Sequence, residues 1–260
     1  MYTWPEVAAK CVLESAAWTP PDTRERLRTC WRPRLTDLDG DPEPEARAAV
    51  DRALGRLGLD DRPGVGLDEN GLPDIDWVAI PDGVVIIEDH GEFQVRPFAI
   101  ARHPVTQAQY QAFIDDGGYT DERWWAGLAE AVREPERPAF EYANHPRETV
   151  SWYEAMAFCR WLSDRLGFQV SLPTEAQWQQ AAQGGDGREY PWGQGYRPGF
   201  ANVGETWEKP HHLSMTSAVG IYPQGASLQK VLDLTGNVWE WCLNKYEDPG
   251  DVSPEGDLPR

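Results

Sequence analysis

Three segments of this chain begin with the same helix-starting pattern, a hydroxyl residue followed three positions later by a carboxyl or amide residue. They are Thr106-x-x-Gln109, Ser151-x-x-Glu154 and Thr174-x-x-Gln177. In such a capping box the two side chains bond the first free backbone N–H groups, so the pattern marks where a helix begins. Glycines follow at 117–118, 167 and 184–185, and they are typical of helix ends. The pattern therefore predicts three short helices in the middle of the chain.

The stretches around these helices favour short strands and coil. Trp77–Pro81 and Val84–Ile87 flank Asp82-Gly83, which predicts a β-hairpin. Phe93–Ile100 reads as another strand, and Pro97 within it suits an edge or a bulge. The 13 Trp, 22 Pro and 24 Gly of the 260 residues indicate a loop-rich fold held by large aromatic side chains. Beyond residue 185 we expect only short β-type pieces, at 217–222, 231–234 and 238–243.

The first part of the chain has a different pattern. Residues 1–59 read as three short helices, with Pro20-Pro21 breaking the first and Gly58 ending the third. Residues 60–75 are rich in turn-forming residues and predict a linker. We therefore expect a helical appendage at 1–59, of the kind that ends a helical repeat or an adaptor, and a separate domain at 76–260.

Charge and cysteine content limit the partners and the metal sites that we expect. The formal net charge of −19 repels phosphate backbones and anionic lipid, which argues against nucleic acid and membrane surfaces as partners. No apolar run is long enough to span a bilayer, and the N-terminus shows no signal-peptide pattern, so we expect a cytoplasmic protein. The cysteines, Cys11, Cys30, Cys159 and Cys242, are too widely spaced for a zinc site. Cys159 falls on the apolar face of the middle helix and reads as a buried hydrophobe.

Five stretches carry a resemblance to a known family. In order along the chain they are PVTQAQY at 104–110, VSWYEA at 150–155, LPTEAQW at 172–178, YPWG at 190–193 and GNVWEW at 236–241. From about Trp77 to Tyr246 the chain resembles the formylglycine-generating-enzyme, or sulfatase-modifying-factor, family. The resemblance implies an α+β, C-type-lectin-like fold with a small mixed sheet, few helices and much coil.

The family resemblance implies several functions. Its members include copper-dependent oxidases that convert a cysteine to formylglycine and non-heme iron enzymes of ergothioneine synthesis. Others are non-catalytic ligand-binding domains, among them variable proteins of bacterial diversity-generating retroelements and modules of signalling proteins. The resemblance implies that the oxidases' cysteine pair would lie in a segment beyond the domain at 76–260. The five histidines lack the spacing of the iron motif; they are His90, His103, His145, His211 and His212.

These departures predict no copper or iron site and no catalytic residue in this chain. The first hypothesis is a ligand-recognition module that binds an unknown protein or small molecule. The alternative is an oxidase, either formylglycine-generating or non-heme iron dependent, whose catalytic segment lies beyond residue 260. Whether the protein is an enzyme stays open at this point.

The resemblance also implies a calcium site. In the family, the loop that matches residues 233–240 supplies oxygens from the positions of Asp233, Gly236, Val238 and Glu240, and hard cations prefer such oxygens. The competing interpretation is a turn capped by Asn237, with the Trp residues on either side of Glu240 in the core. A second family calcium loop matches Asn202-Val203, but its acidic partner is replaced by KPHH at 209–212. We expect that second site to be lost.

Two further expectations concern surfaces. Adjacent Trp124 and Trp125 are not expected to face one core together, so one of them is a candidate to line a ligand surface. In the resembling family the final strands pair with the first strands of the domain. We therefore expect an unpaired sheet edge within Trp77–Ile100 and self-association through it.

Overall fold

A computed structural model describes residues 3–15, 19–204 and 213–253 of the chain. Its α-helices, in chain order, are α1 (Trp4–Glu14), α2 (Thr23–Trp31), α3 (Pro44–Leu57), α4 (Gln107–Asp115), α5 (Trp152–Leu166) and α6 (Glu175–Gln183). Its β-strands are β1 (Trp77–Ile80), β2 (Gly83–Ile87), β3 (Gly91–Val95) and β4 (Phe98–Ala101). Coil and turns connect these elements and occupy most of the chain after α6.

The three predicted capping boxes are present at the starts of α4, α5 and α6. The Thr106 hydroxyl accepts a hydrogen bond from the backbone N–H of Gln109 at 3.3 Å, and the Gln109 side chain accepts one from the Thr106 N–H at 3.0 Å. The equivalent reciprocal pairs form at Ser151 and Thr174. Helix α5 ends at Gly167, whose φ of 73° lies in the left-handed region that glycine enters without strain.

The strands pair differently from the sequence prediction. Strand β1 pairs with β4, with Trp77 opposite Ala101, and β2 pairs with β3, with Gly83 opposite Val95. Both pairs are antiparallel, and each sheet among the described residues has two strands. The prediction of a hairpin around Asp82-Gly83 is therefore wrong. The turn lies instead between β2 and β3, where Asp89 has a φ of 63°, a conformation that Asp tolerates better than most residues.

The fold class expected from the family resemblance is confirmed, since the chain is α+β with few helices, small sheets and much coil. The β-type pieces expected at 217–222, 231–234 and 238–243 are not strands in the structure. They are held by side-chain and single backbone contacts rather than by a ladder. None of the described helices is long and apolar enough to cross a membrane.

The helical N-terminal segment shares a core with the rest of the chain. Buried residues of α1, α2 and α3 form one hydrophobic cluster together with Leu213, Ala218, Ile221 and Tyr222. The fully buried Arg47 of α3 donates a hydrogen bond to the carbonyl of Ile221 at 3.1 Å. The boundaries predicted at 59 and 75 remain predictions, but the helices pack directly against residues of the domain predicted at 76–260.

A second cluster, rich in aromatic rings, lies between α4 and α5. Trp161 is 1% exposed, and its ring lies 5.6 Å from Phe113 and 5.7 Å from Phe158. Both Trp124 and Trp125 belong to this cluster and are buried. The expectation that the two could not share one core is thus wrong. The 3₁₀ turn at Glu122–Trp124 directs Trp124 under the Arg123 guanidinium and Trp125 against Tyr119.

Candidate functional site

A groove of about 630 Å³ opens between strand β4, helix α5 and residues 231–241. Its walls are largely apolar, and the aromatic and aliphatic side chains that define it include Trp77, Phe98, Phe158, Phe168, Trp239 and Trp241. Its polar residues include Arg147, His103 and Glu240, together with Gln169, Ser171 and Gln177. A concave, mostly apolar surface with a few converging polar groups is the usual form of a small-molecule or peptide site.

Several aromatic rings of the groove are open to solvent. Trp239 is 103% exposed, Trp241 42% and Phe168 50%. Trp241 is held by a hydrogen bond from its Nε1 to the Val150 carbonyl at 2.9 Å, whereas Trp77 packs edge-to-face on Phe168 at 6.0 Å. The sequence interpretation that placed both Trp239 and Trp241 in the core is therefore wrong. Exposed aromatic surface of this kind marks an interaction site.

Residues 233–240, here called the cation loop, form a tight turn at one end of the groove. Asp233, Gly236 and Asn237 have φ values of 59°, 89° and 69°. A Cβ added to Gly236 would stand 2.3 Å from the carbonyl oxygen of Asn202, so only glycine allows this approach of the two backbones. Asn237 is anchored on three sides, since its Oδ1 accepts from Ser217 N–H at 2.9 Å and from Asn202 Nδ2 at 3.0 Å, and its backbone N–H donates to the Asn202 carbonyl at 2.7 Å.

The negative charges of the two carboxyl groups in the cation loop are only partly offset by nearby donors and cations. Burial raises the pKa of Asp233 to about 6, although the Gly220 N–H and the Arg62 guanidinium act in the opposite direction. Glu240 reaches water along the groove. The protein around it nevertheless raises the pKa of Glu240 to about 7, and the charge of Asp233 adds to that rise. Two carboxyl groups with raised pKa values on one loop are a favourable setting for a cation, which would stabilise their charged forms.

The carboxylates of Asp233 and Glu240 offer oxygens of the kind that calcium prefers. Asp233 Oδ2 accepts from the Gly220 N–H at 2.6 Å, and Glu240 Oε1 accepts from Trp178 Nε1 at 3.2 Å. Within the described ranges no cluster of three or more His, Cys, Asp or Glu side chains is present. Calcium, which takes about 6–8 oxygens, would therefore need the carbonyls of Gly236 and Val238 and water in addition. The four-residue calcium site stays a prediction on this evidence.

The second calcium loop is described only in part. Asn202 donates through Nδ2 to the Met215 carbonyl at 2.8 Å and to Asn237 Oδ1 at 3.0 Å, so its amide serves the fold. Its expected partners at 209–212 lie outside the described residues. The loss of this second site remains a prediction.

The described residues do not fit a copper or iron centre. Burial raises the pKa of the Cys159 thiol to about 12 and that of Cys242 to about 12, so neither supplies the thiolate that a soft metal requires. Cys11 and Cys30 are exposed on α1 and α2. The described histidines, His90, His103 and His145, join no metal-ligand cluster in the described ranges. Accordingly no chemical step is assigned to these residues.

Two groove residues, His103 and Arg147, were not predicted from the sequence as site residues. Burial and the nearby Arg62 and Arg102 lower the pKa of His103 to about 3, so it is a neutral imidazole. Arg147 donates to the Glu136 carbonyl at 2.6 Å, and its guanidinium lies 5.0 Å from the centre of the Tyr110 ring. Neither residue belongs to a recognisable spacing motif, and only the folding of distant segments onto the groove brings them together. The candidate ligand residues Trp124 and Trp125 lie in the core between α4 and α5 instead.

The edge of β4 opposite β1 pairs with no other strand of the described residues, and it faces the groove. Arg102 N–H bonds the Asp76 carbonyl, so in the antiparallel register Ala99 and Ala101 turn their backbone groups away from β1. Both residues line the groove. An unpaired edge beside exposed aromatic rings is a template for another strand.

We expect the protein to self-associate through this edge, and Ala99→Pro to shift it towards monomer. Proline removes the outward N–H at a position that β1 does not use, so the β1–β4 pair survives. Light scattering over a range of protein concentrations measures the mass. Ile100→Pro, which removes an N–H on the β1 side, serves as the control that unfolds the strand. A wild-type protein that stays monomeric throughout would contradict the expectation.

Residues 73–256 match the family described as the sulfatase-modifying factor enzyme 1-like domain. Hercynine oxygenase of Mycobacterium tuberculosis is 36% identical over 183 residues, which cover 61% of this chain and 40% of that protein. Formylglycine-generating enzyme of the same organism is 29% identical over 210 residues, covering 62% of this chain and 68% of that protein. Inactive C-alpha-formylglycine-generating enzyme 2 of Bos taurus is 30% identical over 197 residues, covering 60% of this chain and 62% of that protein.

The chain thus spans about 40% of the length of that hercynine oxygenase. Among solved structures, CarF superposes with a TM-score of 0.48 at 24% identity, covering 66% of this chain and 81% of CarF. PvdO from Pseudomonas aeruginosa superposes with a TM-score of 0.49 at 22% identity, covering 74% of this chain and 81% of PvdO. At these scores the superpositions add no argument to the sequence match.

Proposed function

Because the chain belongs to the sulfatase-modifying factor enzyme 1-like family, we propose that it is the substrate-binding part of an oxidative enzyme, with the groove as the substrate site. The observation that carries this proposal is the groove itself, which joins apolar walls to the polar groups of His103, Arg147 and Glu240. The similarity to hercynine oxygenase and to formylglycine-generating enzymes supports it. The described residues would bind the substrate and would take no part in breaking bonds.

The higher identity to hercynine oxygenase favours hercynine, a betaine of histidine, over a cysteine-containing peptide as the ligand. Aromatic walls suit the quaternary ammonium group of this zwitterion because a positive group is attracted to ring faces. A peptide of the Cys-x-Pro-x-Arg type, a substrate pattern of the formylglycine-generating oxidases, is the alternative.

Tryptophan fluorescence tests this proposal, since Trp77, Trp239 and Trp241 line the groove. We expect hercynine to change the emission of the 260-residue protein in a saturable way. Ala155→Phe, on the α5 wall of the groove, should abolish the change. Ala126→Phe, an exposed position that does not line the groove, is the matched control and should preserve it.

The outcomes separate the candidate functions. Saturable binding of the Cys-x-Pro-x-Arg peptide alone would move the assignment to the formylglycine-generating type. If the protein binds neither ligand, the proposal of an oxidative enzyme is wrong, and a recognition module for another ligand is left. The second candidate function, a recognition module without catalysis, is favoured by the 30% identity to an inactive family member and by the raised pKa of both Cys159 and Cys242.

Because the thiols of Cys159 and Cys242 have raised pKa values, we expect this chain not to convert the peptide thiol to an aldehyde. Mass spectrometry of the peptide measures the conversion.

We further propose that the cation loop binds one calcium ion through Asp233, Glu240 and the carbonyls of Gly236 and Val238. The ion would neutralise two carboxylates and fix the end of the groove. Because it binds only the folded state, calcium at 100 times its dissociation constant should stabilise the protein by about 2.7 kcal/mol.

Glu240→Gln should remove most of this calcium dependence and leave a folded protein. Thermal melting with calcium and with chelator measures the effect. Glu175→Gln, at the start of α6 and outside the cation loop, is the matched control and should keep the full calcium response. A melting temperature of the wild-type protein that is indifferent to chelator would mean that the loop is a structural turn.

A further inference from the structure

Residues 216–220 form a short segment between helix α3 and the cation loop, here called the bridging strip. Its hydrogen bonds are directed alternately to helix α3 and to the cation loop. The N–H of Ala218 donates to Asp51 Oδ2 of α3 at 3.0 Å, whereas the N–H of Gly220 donates to Asp233 Oδ2 at 2.6 Å. Ser217, which precedes Ala218, exchanges three hydrogen bonds with Asn237 of the cation loop.

The α3 side of the bridging strip is a fully buried polar network. Asp51 and His145 are both 0% exposed, and His145 Nε2 lies 3.0 Å from Asp51 Oδ1. His145 Nδ1 lies 2.8 Å from the hydroxyl of Thr216. The network is satisfied when the His145 Nε2–H donates to Asp51 and the Thr216 hydroxyl donates to His145 Nδ1. The carboxylate of Asp51 then accepts from both His145 and Ala218.

This Thr216–His145–Asp51 chain has the connectivity of a hydrolase triad, but not its accessibility. Thr216 is 7% exposed, and the His145 ring is stacked on Tyr142 at 4.6 Å. No substrate can reach a hydroxyl placed in this way. The network therefore acts on the conformation of the strip.

We propose that Asp51 of the N-terminal helix α3 is a positioning residue for the cation loop, acting through the bridging strip. This inference rests on the calcium site proposed above. Asp51 fixes Ala218 directly and Thr216 through His145, and the flanking Ser217 and Gly220 hold Asn237 and Asp233. Because buried networks of this kind have few alternative arrangements, displacing one side displaces the other. The helical segment is thereby a part of the site rather than an appendage to it.

Asp51→Asn tests the proposal with little change in shape. An amide offers one accepting oxygen where the carboxylate offers two, so either His145 or Ala218 loses its acceptor. We expect calcium affinity of the 260-residue protein, measured by titration calorimetry, to fall about tenfold. Leu54→Ala, in the same helix and also 0% exposed, is the matched control. It loosens the packing of α3 but leaves every bond of the strip in place, so calcium affinity should be preserved.

Amide hydrogen exchange at Gly220 and Asn237 provides a readout that does not need the metal. We expect faster exchange at both amides in Asp51→Asn than in Leu54→Ala, at a temperature where both variants are folded. Equal calcium affinity and equal exchange in the two variants would overturn the positioning role. If the wild-type protein binds no calcium, the calcium proposal fails, and exchange at these two amides alone decides whether α3 positions the loop.

Discussion

A chain that begins at residue 60 is expected to lose its cooperative unfolding transition. Removal of residues 1–59 takes away most of the hydrophobic cluster that covers Leu213, Ile221 and Tyr222. Exposing each large apolar side chain costs about 1.5–3 kcal/mol, and a typical domain has only about 5–15 kcal/mol in total. The buried His145 and the N–H of Ala218 also lose their partner, Asp51, and unpaired buried polar groups add to the cost.

Circular dichroism during heating measures this effect on the 60–260 and 1–260 chains. Trp4→Ser provides the control, because Trp4 is 88% exposed on α1 and its loss should change the free energy of unfolding by less than about 0.5 kcal/mol. A 60–260 chain that melts cooperatively within a few degrees of the full chain would support the predicted independent domain at 76–260. That result would also remove the structural basis for a role of α3 at the cation loop.

Trp161→Ala should destabilise the protein by about 3–5 kcal/mol. The ring is 1% exposed, it packs against Phe113 and Phe158, and its Nε1 donates to Asp116 Oδ2 at 2.8 Å. The substitution leaves a cavity within a cluster of rings that cannot collapse freely. Trp239→Ala removes an identical side chain that is 103% exposed, so its cost should be under about 0.5 kcal/mol.

Urea denaturation of the two variants and the wild type measures both free energies under one condition. Similar losses in the two variants would mean that Trp239 is covered in solution, for instance by a second copy of the chain. Repeating the measurement at lower protein concentration distinguishes that case, because stabilisation by association falls with dilution.

The starts of α4, α5 and α6 could be predicted because their determinants are local. The reciprocal bonds of a capping box join residues three apart, so Thr106, Ser151 and Thr174 identify helix starts wherever the chain folds. Family membership was also readable, since five short motifs in order define it without reference to contacts. The pairing of the strands could not be predicted from local sequence in the same way. The residues of β1 find their partners about twenty positions along the chain in β4, and no single turn sets that register.

The family, the α+β class and the helix starts of this protein could all be predicted from the sequence, which also places Asp233 and Glu240 in one short segment. Which tryptophans are buried depends on the tertiary structure, because Trp161 and Trp239 are the same residue type and differ in how many distant side chains pack around them. The tertiary structure also decided that Asp51 meets Ala218 across 167 positions. Contacts of that span depend on how whole segments pack, and burial forces polar groups in such packing to find partners that no spacing rule encodes.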